Sequence, residues 1–593
     1  MQLLATLVPS LLALVQAPAT PQEAAAKKEA PRLAEIRLEG ALEEAPQGGI
    51  SLFGSEKKSF RGLLRRIAQA KDDAEVKGLV LRLGDVSLGL AKSAELRRAL
   101  AALRAAGKKA YARTESLGLG EYLVACGCDE VSIEPAGSLV IPGLRIEMTY
   151  LRDLLDKIGV TADVVHIGEF KTAGEELYLR EMSPAQREAL GAILDDFYEH
   201  VIDVVAKGRR MTPDRAKSAI DSAIFTAAQA RARGLVDAVE YDDEYRSRLA
   251  KEQGGAVSFV EKYGEKEHEE PDFSDMASVF GIFGELFKKP KPPVGDKIAL
   301  VYANGMIVTG KSEASPFGGS IMGSRTMVEA IRQAADDASV KAIVMRVDSP
   351  GGDGLASDEI WREVVRAKGK KPFVVSMSDV AGSGGYYIAM GASAIVAEPT
   401  TITGSIGVVG MKPVLGGLYQ KVGANPQSLQ RGRRAGMMSL DNPFSEEERE
   451  ALRKFMEAFY GEFVAKVAEG RGRSPQEIEP IARGRIWSGK RARELGLVDR
   501  LGGLDDAIAL AKEKAGLDPK KDLPLYELPR PRSLFELLEE GGFPFMATQV
   551  GAGLGALDAF PAVGARARQA ARALAALAGR PVLALMPFSV EIE

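Results

Sequence analysis

Asp336-Asp-Ala-Ser-Val-Lys-Ala-Ile-Val-Met-Arg-Val347 repeats, at 7 of 12 positions, the earlier stretch Asp72-Asp-Ala-Glu-Val-Lys-Gly-Leu-Val-Leu-Arg-Leu83, 264 residues upstream. In both, a charged segment passes directly into an aliphatic run, which reads as the end of a helix entering a buried strand. The echo extends well beyond these twelve residues. Tyr122 to Pro135 runs parallel to Tyr386 to Pro399, each closing on Glu-Pro. Ser183-Pro-Ala-Gln-Arg-Glu-Ala-Leu190 matches Ser445-Glu-Glu-Glu-Arg-Glu-Ala-Leu452, and Gly234-Leu-Val-Asp237 matches Gly496-Leu-Val-Asp499. The chain therefore holds two tandem copies of one domain, each alternating short apolar runs with helical patterns, the order of parallel βαβ units in an α/β fold.

This repeat divides the chain into residues 1–19, 20–30 (a linker rich in Ala, Pro, Glu and Lys), 31–250 (first copy), 251–295 (a charged connector), 296–515 (second copy) and 516–593 (an extension with no counterpart). Within the first copy a strand is expected at Leu33 to Leu38 and an amphipathic helix around Phe60 to Lys71. The segment 1–19 is signal-like: an apolar run to Val15 ends in Gln-Ala-Pro-Ala19, small residues where a signal peptidase would cut. It reads as an export signal or a short anchor. In the extension, Gly564 to Ala578 reads either as a basic amphipathic helix against a membrane surface or as an ordinary surface helix.

With 593 residues, 46% apolar, 27% charged and a formal net charge of −4, the composition is that of a multidomain globular protein without the basic field that nucleic acid requires. The two cysteines, Cys126 and Cys128, are badly spaced for a mutual disulfide and too few for a zinc site, and so read as buried free thiols. Histidine is scarce: His166, His200 and His268 lie far apart, which leaves a His-dependent triad poorly supplied. No phosphate loop or convincing dinucleotide fingerprint occurs.

A duplicated chain can be compared with itself. Ser383, within Asp379-Val-Ala-Gly-Ser-Gly-Gly-Tyr-Tyr387, has glycine on both sides at the mouth of an apolar helical run, where a hydroxyl and a developing oxyanion are both accommodated. Alone, the stretch reads equally as a glycine-rich turn. The first copy has Leu119 at that position, and Gly84-Asp-Val-Ser-Leu88 where the second has Asp348-Ser-Pro-Gly-Gly352. The loss runs the other way further on, where Gly168-Glu-Phe-Lys-Thr-Ala-Gly174 faces Gln430-Arg-Gly-Arg-Arg-Ala-Gly436, with Lys171 opposite Arg433. A desolvated lysine can accept a serine proton; arginine cannot. One copy keeps a base and the other a nucleophile. Taken singly, Lys171 also reads as a surface lysine, Gly352 and Gly384 as turn glycines instead of oxyanion donors, and Ser405 in Thr403-Gly-Ser-Ile-Gly407 as a turn residue instead of a partner for the lysine amine. Tyr386, Tyr387 and Met390 read as core.

The joint occurrence of Asp-Ser-Pro-Gly-Gly352, Ala-Gly-Ser-Gly-Gly-Tyr386 and Thr-Gly-Ser-Ile-Gly407 with Lys171 in a first copy resembles the signal peptide peptidase A (protease IV) family in its long, tandem-domain form. The resemblance implies a serine peptidase on two crotonase-like (ClpP-like) domains, with Ser383 as nucleophile, Lys171 as general base, Ser405 orienting the lysine, and Gly352 and Gly384 as the oxyanion hole. It implies no metal or cofactor. It implies apolar peptides, including cleaved signal peptides, as substrates, a homotetramer, and a site at the cytoplasmic membrane of the cell envelope facing outward. Two other readings use the same scaffold: an acyl-CoA hydratase or thioesterase, and a non-catalytic envelope scaffold.

Overall fold

The computed structural model describes residues 30–44, 59–265, 292–314, 320–530 and 583–585. The signal-like segment, the linker up to its last residue and the basic stretch Gly564 to Ala578 lie outside the described residues. The first copy forms a six-stranded parallel sheet in the order Ala238–Val239, Glu130–Ile133, Lys109–Thr114, Val76–Ser87, Arg32–Ala41, Ser258–Val260. The second copy repeats this plan: Arg500–Leu501, Ala394–Ala397, Phe373–Gly382, Val340–Ser349, Lys297–Asn304 and Leu525–Leu528 pair side by side in parallel. Two edge strands, Ser258–Val260 and Leu525–Leu528, occupy equivalent places in the two sheets and fall outside the bounds 31–250 and 296–515 expected from sequence. Neither carried a repeated motif, so sequence comparison passed over them.

The aliphatic run that opened the sequence reading is buried on both faces because helices cover both sides of a parallel sheet. Ala299, Val301, Ile343, Met345 and Val347 face one core. Their alternates Ile298, Leu300, Ala342 and Val344 face a second, under the helix Leu504–Lys514. The repeated Ser183 and Ser445 prove to be N-caps of the two longest helices among the described residues, Pro184–Gly208 and Glu446–Arg471, accepting hydrogen bonds from the N–H of Gln186 and Glu448. Cys126 and Cys128 are buried free thiols.

Charge joins the copies. Arg346, wholly buried, pairs with Glu44 and with Glu95 (2.5 Å) of the first copy. Lys92 of the first copy lies 2.8 Å from Asp348 and 3.1 Å from Asp379 of the second. Asp348 and Asp379 open the two glycine-rich stretches, so this junction anchors both. A further antiparallel pairing, Thr161–Ile167 of the first copy with Val408–Val414 of the second, brings the Lys171 loop against the second copy's glycine-rich face. Among the described residues no helix is long and apolar enough to cross a membrane.

Candidate active site

Ser383 follows the strand Phe373–Gly382 and caps the helix Gly384–Ala389 with φ 54° and ψ −112°. Positive φ in a residue with a Cβ costs about 1–3 kcal/mol and persists only where the surroundings impose it. Here the Ser383 N–H donates to Gly404 O (2.8 Å) and its carbonyl accepts from Tyr387 N–H (2.8 Å). The two glycines that follow Ser383 are required by close approach. A Cβ on Gly385 would lie 2.6 Å from Ser349 O, and one on Gly384 would lie 2.7 Å from Ser357 Oγ and 3.0 Å from the Gly352 nitrogen. The Gly384 and Gly352 amides are therefore neighbours. As the first helical residue, Gly384 has an N–H with no acceptor inside its own helix.

Lys171 comes from the other copy. Its Nζ is 2.6 Å from Ser383 Oγ, 3.0 Å from Ser405 Oγ and 3.0 Å from Ser405 O. The side chain is 1% exposed, and Ser383 and Ser405 are fully buried. Burial alone drives the lysine pKa well below its ordinary 10.5, since no carboxylate stands near enough to offset desolvation. The amine is thus held toward its neutral form. Three hydrogen-bonding neighbours suit a neutral amine, which has two N–H donors and one lone pair.

All five residues singled out in the sequence, Ser383, Lys171, Ser405, Gly352 and Gly384, converge on one place, and within one chain. Ser405, itself at a positive φ of 51°, offers the amine two acceptors, its carbonyl and its hydroxyl. Arg433, the counterpart of Lys171 in the second copy, is 81% exposed and takes no part. His166 and His200 are elsewhere, contacting Gly168 O and Arg97; His268 lies outside the described residues. Tyr386, Tyr387 and Met390 are core.

Sequence reading missed the loop Arg483-Gly-Arg485. Arg483 O accepts from Phe170 N–H (2.9 Å), Arg485 O accepts from Ser405 N–H (2.7 Å), and Gly484 N–H donates to Ile406 O (2.7 Å). Gly484, at φ +80°, lies so close to Lys171 that an added Cβ would sit 2.4 Å from the lysine's backbone nitrogen. The loop holds Lys171 and Ser405 together. A signal was present in the repeat: at the matching positions the first copy has Asp221-Ser-Ala223, without the glycine.

The sequence model of peptidase family S49 matches residues 102–255 and 366–518, one segment in each copy. The chain belongs to peptidase family S49. Relatives include the chloroplastic serine protease SPPA of Arabidopsis thaliana, 34% identical over 478 residues (80% of this chain, 68% of that one). Another is Protease 4 of Salmonella typhi, 32% identical over 482 residues (79% and 75%). Among solved structures, a point mutant of ClpP1 from Listeria monocytogenes covers 35% of this chain and 94% of its own, at 17% identity and a TM-score of 0.24, too low to weigh. The chain is a serine peptidase of mixed α/β fold, and the converging residues are this peptidase's candidate active site.

Proposed function

We propose that Ser383 is the nucleophile and Lys171 its general base, and that the peptidase cuts apolar peptides, cleaved signal peptides among them, at the cytoplasmic membrane of the cell envelope. The observation that carries this is the 2.6 Å separation of a desolvated Nζ from a strained serine hydroxyl. The Ser383 O–H donates to the amine lone pair while the two amine N–H groups go to Ser405 Oγ and O. As Ser383 Oγ attacks a peptide carbonyl, its proton passes to Lys171, and the oxyanion accepts from Gly352 and Gly384 N–H. The ammonium then protonates the leaving amine. Restored to its neutral form, it takes a proton from the water that opens the acyl ester. The acyl-CoA and scaffold readings gain no support from this arrangement, which leaves a base and a nucleophile in contact.

A homotetramer is proposed with it, and the repeat supplies an interface. Within the chain, Thr161–Ile167 of the first copy pairs with Val408–Val414 of the second. At the spacing of 264 kept by the earlier motifs, which falls to 262 by Lys171 and Arg433, the equivalent pair is 144–150 with 425–431. Residues 144–150, Leu-Arg-Ile-Glu-Met-Thr-Tyr, alternate as a strand yet form no ladder, and 425–431 are exposed and unpaired as strands, with Leu429 100% exposed. One edge of each subunit then fits the other edge of the next, the head-to-tail kind of interface from which a ring is built when the rotation closes.

The test is fluorophosphonate labelling with mass mapping. Wild type should carry the adduct on Ser383 and Lys171→Ala should not; a folded wild type without an adduct there refutes the dyad. Light scattering on Leu429→Asp should show subunits in place of a ring.

A further inference from the structure

The first copy supplies more than Lys171. Its helix Leu90–Ala105 begins at Gly89, which has no side chain to cap it, and the cap comes from the second copy: Asp379 Oδ1 accepts from the N–H of Ala91 (3.0 Å) and of Lys92 (3.4 Å). A Cβ on Gly89 would lie 2.1 Å from that oxygen. The other oxygen of Asp379 is 3.1 Å from Lys92 Nζ, which also holds Asp348 Oδ2 at 2.8 Å. Asp348 Oδ1 in turn accepts from Val380 N–H (3.2 Å), where the pairing of Val340–Ser349 with Phe373–Gly382 breaks register. Lys92 thus closes a ring that joins the starts of both glycine-rich stretches. In the second copy the matching helix Gly354–Lys368 is capped by its own Asp353, which accepts from Ala356 N–H (2.8 Å). At the spacing of 264, Asp353 corresponds to Gly89 and Ala356 to Lys92. The first copy therefore lacks a cap of its own and carries a cation at the two positions that meet Asp379 and Asp348.

We propose that Lys92 is a positioning residue of the peptidase, fixing the oxyanion donor Gly352 against the nucleophile Ser383 through Asp348 and Asp379. The inference rests on the reading of Ser383 and Gly352 given above. Each aspartate stands four residues ahead of the group it serves. Beyond Asp348 the chain runs through Gly351 and Gly352, at φ +100° and +158°, and around Ser383 it runs through Gly382, Gly384 and Gly385. Glycines have no side chains to lock the path, so the path is set where it starts. Charge gives a second argument. Two cations, Lys92 and Arg346, face four carboxylates, Glu44, Glu95, Asp348 and Asp379. Burial, with Asp379 and Glu44 beside it, raises the Asp348 carboxyl above its usual range. The charge on Asp379 is thus surplus to the balance of the cluster, and an asparagine would cap the helix as well. What the charge serves is the contact with Lys92.

The test uses the full chain and a quenched apolar peptide. Lys92→Met should lower kcat, and the rate at which a fluorophosphonate labels Ser383, by about 10²-fold with KM within about twofold, the loss that a displacement of about 1 Å produces. Asp379→Asn keeps an oxygen for the helix cap and sheds a surplus charge. It should lower kcat by about tenfold in a chain that melts no lower than wild type, a result that a purely structural role does not give. Arg98→Met is the control: it removes the partner, 2.9 Å away, of the fully buried Glu398 across the same junction, and should cost stability with kcat unchanged. A kcat within about twofold of wild type in Asp379→Asn, or in a folded Lys92→Met, overturns the proposal, and so does an equal fall in Arg98→Met. Hydrogen exchange separates this from the catalytic reading, in chains that also carry Ser383→Ala and so need no turnover. Faster exchange at 348–354 and 379–386 in Lys92→Met and Asp379→Asn than in Arg98→Met upholds the role of Lys92 even if wild type takes no adduct on Ser383. Equal exchange rejects it even if the dyad is active.

Discussion

Gly484→Ala tests the site through a residue that touches no reacting atom. The new Cβ would lie 2.4 Å from Lys171 N and 2.6 Å from its Cα and Cβ, whereas ordinary contact begins at 3.4 Å. The lysine backbone or the 483–485 loop must therefore yield by about 1 Å, and the φ of +80° adds strain of its own. A shift of that size along the Nζ to Oγ line would lengthen 2.6 Å to roughly 3.6 Å, outside hydrogen-bond range. Misplacement by 1 Å is expected to cost about 10²-fold in kcat, or about 2.7 kcal/mol of transition-state stabilisation. Steady-state kinetics on a quenched peptide would read it, with KM little changed, alongside the rate of fluorophosphonate labelling. Thermal unfolding should report a folded protein weakened by about 1–3 kcal/mol. A folded Gly484→Ala with kcat within about twofold of wild type would refute the claim that this loop positions the base.

Lys171→Arg should abolish hydrolysis although a basic side chain is retained, since guanidinium does not accept the serine proton; measurable turnover would point to another base. Lys171→Met should be inactive yet raise the melting temperature at neutral pH. The lysine's folded pKa is depressed, so between that value and 10.5 the unfolded state binds more protons and stability rises with pH; the gain from Met should shrink toward pH 10.5. For the same reason, kcat/KM should rise with pH through the lowered lysine pKa and level off well below pH 10.5, and a rise reaching half-height only near 10.5 would contradict a desolvated base. Arg346→Met strands the buried carboxylates of Glu44 and Glu95 and should cost roughly 3–5 kcal/mol in chemical denaturation, partly regained at acid pH where they protonate; a neutral effect would show that this pair does not hold the copies together.

The sequence by itself determined the duplication, the parallel α/β order of each copy, and the placing of Ser383 in one copy and Lys171 in the other. These properties are written locally: an aliphatic run buried on both faces, a serine ahead of a helix, and a lysine kept in one copy where arginine stands in the other. Leu119 opposite Ser383 already showed that neither copy suffices alone. Only the tertiary structure decided that Lys171 and Ser383 meet within one chain, that Ser405 presents its carbonyl as well as its hydroxyl, that Gly484 seats the lysine, and that Leu583–Leu585 pairs between Gly351–Asp353 and Val408–Val414. Each depends on which strand edges abut, as where Thr161–Ile167 meets Val408–Val414. Strand pairing is made by main-chain groups common to every residue, so side-chain pattern reports that an edge exists without saying which distant edge will cover it.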